Sequence, residues 1–285
     1  MELPIIYEDE HVAAVIKPAG VVVNSAETVS EPTIQEWWLA HLRAQHQGKL
    51  VFAADWQQLV PGNFSTEYGT PEEIFTERGG IIHRLDKETS GALLLAKDPG
   101  SLVNLLAQFR QRQTKKKYLC LVHGKFRILE DTVSLPISRS QSNRTKFQVM
   151  ADGRTAETKY SVLQYYPKID VERLLQTAKG SHPELKLVKQ KAERAYQGFS
   201  LVECWPKTGR THQIRVHFTH LRHPLVADPT YVGAKRLQLD QLWCPRLFLH
   251  ATSLSWNDPA TGEARSVEAG LPDDLQHALT YLLPE

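Results

Sequence analysis

The sequence predicts an α+β protein built on a mixed, largely antiparallel sheet. Short apolar runs of strand character recur along all 285 residues, and only a few segments between them carry the i, i+3, i+4, i+7 spacing of an amphipathic helix. There is no internal repeat and no Pro/Gly/Ser-rich linker long enough to divide the chain, so a single domain over residues 1–285 is expected.

Pro4 to Tyr7 and His11 to Lys17 read as an opening hairpin, closed by the turn Pro18-Ala19-Gly20. Thr33 to His46 reads as a helix because Ile34, Trp37, Trp38, Leu39 and Leu42 load one side. Residues 47–79 lack periodicity and hold several Gly and Pro, which suggests an irregular insertion. Gly91 to Lys97 (GALLLAK) is a short buried strand, and Ser101 to Gln113 a helix with Leu102, Leu105, Leu106 and Phe109 on one face. Lys117 to His123 is a strand ended by Gly124. Phe147 to Met150 and Ala156 to Tyr166 bracket Asp152-Gly153, a hairpin signal. Residues 167–197 form a charged, helical insertion. Phe199 to Cys204 is a strand, Thr211 to Leu221 a helix with Ile214, Phe218 and Leu221 inward, Leu247 to Ser255 a last long strand, and a surface helix follows Pro272.

The 41% hydrophobic and 23% charged content suits a globular protein with a real core. No apolar run approaches the roughly 18 residues of a membrane span, and the acidic start MELPIIYEDE carries no secretory signal. Cys120, Cys204 and Cys244 are odd in number, widely spaced and never C-x-x-C, which points to reduced thiols and a cytoplasmic setting. A net charge of +2 says little about partners, but cations cluster: Arg110, Arg112, Lys115, Lys116 and Lys117; then Arg139, Arg144 and Lys146; then Lys207, Arg210, Arg215 and Arg222. Each cluster alone suits a solvated surface; three together favour a polyanion partner.

Residues 83–91, His-Arg-Leu-Asp-Lys-Glu-Thr-Ser-Gly, are the most informative stretch. Asp86 stands two residues after an arginine and before a Thr-Ser-Gly bend, a setting for either a salt-bridged structural carboxylate or a catalytic one. The adjoining buried strand would fix its position, as a reactive group requires. The kinase loop H-R-D-L is not matched: the order here is Arg84-Leu85-Asp86, with no Gly-x-Gly-x-x-Gly loop and no Asp-Phe-Gly. Arg215, on the helix after Thr208-Gly209-Arg210-Thr211-His212, is either a surface cation or a partner for a buried carboxylate. Tyr118, at a strand start, is either a core-edge residue or a flat face for base stacking and a weak acid/base group. His212, His217, His220 and His223 lack His-Glu-x-x-His spacing, so no metal is expected, and His217 and His220 read as core histidines. Cys120 and Cys204 lie in apolar strands, where burial makes a thiol inert, and no Gly-x-Ser-x-Gly is present.

Several segments, in order, resemble the RluA-type RNA pseudouridine synthases: Ile16 to Gly20, His83 to Gly91, Lys117 to Gly124, Thr208 to His217, His223-Pro224-Leu225, Leu249-His250-Ala251 and Pro259 to Glu263. The likeness spans nearly the whole chain. It implies a bisected mixed sheet with a central catalytic cleft, no cofactor, structured RNA (rRNA or tRNA) as substrate, and neither a membrane nor DNA as partner. It implies a monomeric isomerase that flips a uridine from the RNA and converts it to pseudouridine. Asp86 would be the nucleophile, Tyr118 would stack on the base, and Arg215 would pair with Asp86. Arg84 would enter the RNA stack and Leu249 would line the pocket, with Lys17, Thr89, Arg210 and His212 as further substrate contacts. The alternatives are a catalytically silent RNA-binding relative and a base-releasing nucleosidase or glycosylase. The sequence departs from the family pattern at Asn24, where His is common, and at Ala227, where Gly is usual; Val232 is an extra residue before Gly233. No S4-like domain is expected before the hairpin at Pro4, and the insertions near 47–79 and 167–197 are solvated loops or local substitutes for one.

Overall fold

The computed structural model describes residues 1–27, 29–177 and 196–285. Its backbone divides into two compact units, Met1–Lys116 with Ala251–Gly270, and Lys117–His250 with Leu271–Glu285. Both are α+β and both sheets are built from antiparallel pairs, as expected.

In the first unit the opening hairpin forms as read, Ile5–Glu8 against Val12–Lys17. Val12–Lys17 then pairs with Ser90–Ala96 in unbroken register, from Val12 opposite Ala96 to Lys17 opposite Gly91. All seven residues of Ser90–Ala96 are buried. That follows from the helices: Ile34–Ala44 contributes Trp38 and Pro99–Arg110 contributes Leu102 and Leu105, each fully buried. The Trp38 indole also donates to the Ala96 carbonyl at 2.9 Å. Both helix starts are written in the sequence. Thr33 and Glu36 form a reciprocal capping box, and the Asp98 carboxylate accepts from the Ser101 N–H at 2.7 Å. Gly91 has φ +124°, and a side chain there would strike the backbone of Ala251 in the neighbouring strand.

The segment 47–79 is more ordered than its composition suggested. It holds two 3₁₀ turns, Trp56–Leu59 and Thr66–Tyr68, and a helix Pro71–Arg78 started by a Thr70–Glu73 capping box. The T-x-x-E spacing with Pro71 was the available signal.

In the second unit Lys115–His123, Phe199–Pro206, Glu157–Tyr166 and Glu130–Ser134 form consecutive antiparallel pairs. The helix Gln213–His220 packs Ile214 and Phe218 into an apolar cluster with Cys120, Val122, Val202 and Cys204. It starts two residues later than expected because His212 sits at φ +56°, outside the helical region. The expected hairpin at Asp152-Gly153 does not form. The chain does turn there, but Phe147–Val149 pairs with Ile137–Arg139, and Arg154 exchanges both backbone hydrogen bonds with Ile137. Asp-Gly marks a turn; it does not choose the partner. Of the 167–197 insertion, Lys168–Ile169 is a strand and Val171–Thr177 a helix, and the remainder through 195 lies outside the described residues. The closing helix Asp273–Leu279 is half core: Leu275 and Ala278 are fully buried.

Ala227 explains its own departure from the family's glycine. It is buried at φ +54°, and its N–H donates to the Asp240 carboxylate at 3.0 Å. Left-handed backbone costs a non-glycine residue about 1 kcal/mol, close to the value of one buried methyl. Ala227→Gly is therefore expected to leave stability within about 0.5 kcal/mol of the parent, whereas Ala278→Gly, the same deletion inside a buried helix, loses roughly 1.5 kcal/mol or more. Urea unfolding midpoints of the two variants check this.

Candidate active site

The first unit holds the Asp86 loop at several points. His83 Nε2 accepts the Leu94 N–H at 3.1 Å, and its ring stacks on Phe109 at 4.7 Å. An acceptor there must be unprotonated. Burial, with Lys116 nearby, pushes the imidazole down to about 3. Burial likewise lowers the Lys116 ammonium to about 8. After His83 the side chains alternate: Arg84 exposed, Leu85 buried, Asp86 half-buried, Lys87 exposed. The Thr89 N–H closes a turn onto the Asp86 carbonyl at 3.0 Å.

Lys17 lies inside the fold. It is fully buried, and its ammonium donates to the carbonyls of Pro18 (2.8 Å), Val21 (2.8 Å) and Lys87 (3.1 Å). The Gly20 N–H adds a bond to the same Lys87 carbonyl. Lys17 thus holds the loop. Thr89 is also buried, at 2% exposure, and supports the turn.

The second unit gathers the other expected residues. Tyr118 is half-buried opposite Cys204 and packs on the apolar cluster that contains Leu249. Arg215 is no surface cation: it is 2% exposed. Its Nε and Nη2 grip Asp228 at 2.8 and 2.7 Å, Nη2 also donates to the Thr230 hydroxyl at 2.7 Å, and the guanidinium lies 5.2 Å from the Tyr231 ring centre. Asp228 is completely buried and accepts the Thr230 and Tyr231 N–H groups as well. Sequence reading passed over Asp228, although Asp228-Pro229 was a visible turn signal.

His212 Nδ1 bonds the Tyr231 hydroxyl at 3.0 Å. Arg210 Nε donates to the Thr155 carbonyl, which commits part of its guanidinium to the loop. His217 is a satisfied core histidine, bonded to Thr158 and to the Leu135 carbonyl; His220, expected beside it, is exposed. Burial raises the Cys204 thiol, next to Cys120, well above its ordinary value, as inertness requires.

Residues 11–220 match the RNA pseudouridylate synthase family, so the chain belongs to that family. A Zymomonas mobilis ribosomal large subunit pseudouridine synthase D is 31% identical over 284 residues, covering 99% of this chain and 73% of that protein. The Escherichia coli O157:H7 ribosomal large subunit pseudouridine synthase C is 30% identical over 283 residues, covering 98% and 69%. The solved structure of the human RNA pseudouridylate synthase domain containing 1 protein superposes with a TM-score of 0.64 at 22% identity, over 100% of this chain and 89% of that one, and so shares the fold. The chain is an RNA pseudouridine synthase, which isomerises uridine in RNA.

Two outcomes test the site. Asp228→Ala leaves a buried guanidinium without its carboxylate and is expected to cost roughly 3–5 kcal/mol in chemical denaturation. For His83 the folded pKa lies below the unfolded one, so the unfolded chain binds the extra proton. Stability from this group is intact above about pH 6.5 and is lost as pH falls toward 3, at up to about 1.4 kcal/mol per pH unit. His83→Asn is less stable than the parent at neutral pH, and the gap between them narrows across that window in pH-dependent unfolding.

Proposed function

We propose that the chain isomerises uridine in large-subunit ribosomal RNA with Asp86 as nucleophile. The observation that carries this is the Asp86 loop itself. His83, Lys17 and Thr89 fix its backbone, while the Asp86 side chain stays half-exposed between exposed Arg84 and Lys87. Rigid backbone around an accessible carboxylate is what a preorganised nucleophile needs. The ribosomal target rests on the printed names of relatives at 30–31% identity.

In this reading the target uridine leaves the RNA stack, at a cost of a few kcal/mol offset by stacking and phosphate contacts. Arg84 fills the gap, Tyr118 stacks on the flipped base and Leu249 lines its pocket. The N1–C1′ bond breaks, the uracil turns, C5 bonds to C1′, and the C5 proton departs with help from Tyr118. Arg215 pairs with Asp86. The chain acts as a monomer, and Arg210 and His212 add substrate contacts. No helix among the described residues is long and apolar enough to cross a membrane, and the three cysteines are free, which supports a cytoplasmic setting.

The test is product analysis of unmodified large-subunit rRNA treated with the parent and with Asp86→Asn. Pseudouridine from the parent and none from the variant is expected. Product from both would remove Asp86 from the chemistry, and free uracil would instead mark a base-releasing glycosylase. Cells lacking the chain should lose pseudouridine at a large-subunit position; loss confined to tRNA overturns the ribosomal target.

A further inference from the structure

A second basic concavity lies in the Lys117–His250 unit, at the opposite end of the Tyr118 strand. It encloses about 410 Å³ and is lined by His123, Gly124, Lys125, Gln197, Arg222, His223, Pro224 and Arg236. Tyr118 and His123 are five residues apart on one strand, roughly 17 Å at strand rise. The concavity is therefore not the place where a base stacks on Tyr118.

Its chemistry is that of an anion receptor. Three permanent cations and two imidazoles line it, with no carboxylate lining it among the described residues. Lys125 is ion-paired to Glu285 at 2.8 Å, an exposed pair that contributes little and gives way readily to a stronger anion. Arg222 is exposed, and its guanidinium has no hydrogen-bond or ion-pair partner among the described residues. It is held there by backbone at φ +66°, a conformation uncommon for a side-chain-bearing residue.

His123 lines the concavity from inside the fold. It is 4% exposed, and its Nε2 is engaged by the buried Asp240 carboxylate at 2.9 Å. Its Nδ1 is a buried polar atom without a hydrogen-bond partner among the described residues. Such an atom costs about 1–3 kcal/mol if nothing ever meets it. Asp240 is itself fixed by the Tyr196 hydroxyl and the Ala227 N–H, so the imidazole has no freedom to turn away. His223 is oriented as well: its Nδ1 donates to the His123 carbonyl at 2.8 Å and its ring stacks on Phe126 at 4.0 Å.

We propose that this concavity is a phosphate-binding subsite that grips the backbone of the substrate RNA away from the target uridine. The inference rests on RNA being the substrate. It does not depend on which RNA, because a phosphate contact carries no sequence information. A phosphate there meets the N–H donors of Arg222, Arg236 and Lys125.

The experiment measures binding of a 20-nucleotide oligouridylate, by fluorescence anisotropy across a salt series, to the parent, to Arg222→Gln/Arg236→Gln and to Lys235→Gln. Lys235 is exposed and adjacent in sequence to Arg236 but does not line the concavity. The double variant is expected to bind several-fold more weakly at low salt, with a log–log salt slope shallower by about 1.4, for two lost single-strand phosphate contacts. Lys235→Gln is expected to match the parent. Under limiting rRNA the double variant is expected to form pseudouridine several-fold more slowly than Lys235→Gln, because weaker binding lowers kcat/KM. Parental affinity and slope in the double variant would overturn the subsite, as would an equal loss in Lys235→Gln. A ribosomal target that proved wrong would change only the last readout, not the oligouridylate comparison.

Discussion

Three backbone carbonyls, of Pro18, Val21 and Lys87, converge on the buried Lys17 ammonium, and the position of the reactive loop depends on them. An ammonium out of water is expensive unless its protons are all taken. Here each bond fixes a piece of chain: two in the turn after the Val12–Lys17 strand, one directly after Asp86. Lys17 also stands opposite Gly91 in the strand register, so the strand pair and the loop close at the same level. Gly91 completes the constraint, since only a residue without a side chain lets the Ala251 backbone come so near. The Asp86 loop thus inherits the rigidity of a fully buried strand.

The second unit uses the same device with opposite charges. Arg215 and Asp228 form a buried bidentate pair, and Asp228 spends its remaining capacity on two backbone N–H groups. Such a pair adds little net stability over an apolar replacement, but removing either partner is costly. What it supplies is orientation. Asp240 repeats the arrangement, collecting His123, Tyr196 and the Ala227 N–H. In both units, groups near the proposed chemistry are placed by buried charges whose hydrogen bonds leave one geometry.

Local signals were legible and long-range ones were not. Thr33 with Glu36, and Asp98 followed by Pro99, announce helix starts through bonds within three residues, so the sequence contains both partners. The GALLLAK run is buried on both faces, and continuous apolarity is enough to reveal that. Asp86, Tyr118 and Arg215 stood out through motif resemblance and residue type. The bonds of Lys17 and Asp228 are not legible because they lie in partners that spacing cannot name: carbonyls 4 and 70 positions away for Lys17, and an arginine 13 positions before Asp228. The Asp152-Gly153 turn failed for the same reason. The turn is real, but strand pairing is settled by Ile137 and the Phe199–Pro206 strand, both remote from it.

Charge shows how far counting falls short of structure. The sequence offers three cationic clusters, yet packing sorts their members into different tasks. Arg215 is buried on Asp228 and Lys116 is shifted down by burial, so neither is an ordinary surface cation. Lys117 and Lys207 lie 3.6 and 3.0 Å from Glu203 and Glu157. Pairs of that kind, at partly exposed positions, contribute at most about 1 kcal/mol and compete weakly with a phosphate. Arg110, Arg112, Lys115, Arg139, Arg144 and Arg222 remain exposed. Counterion release counts only cations that reach phosphates, so the salt sensitivity of RNA binding follows this exposed set and not the +2 net charge.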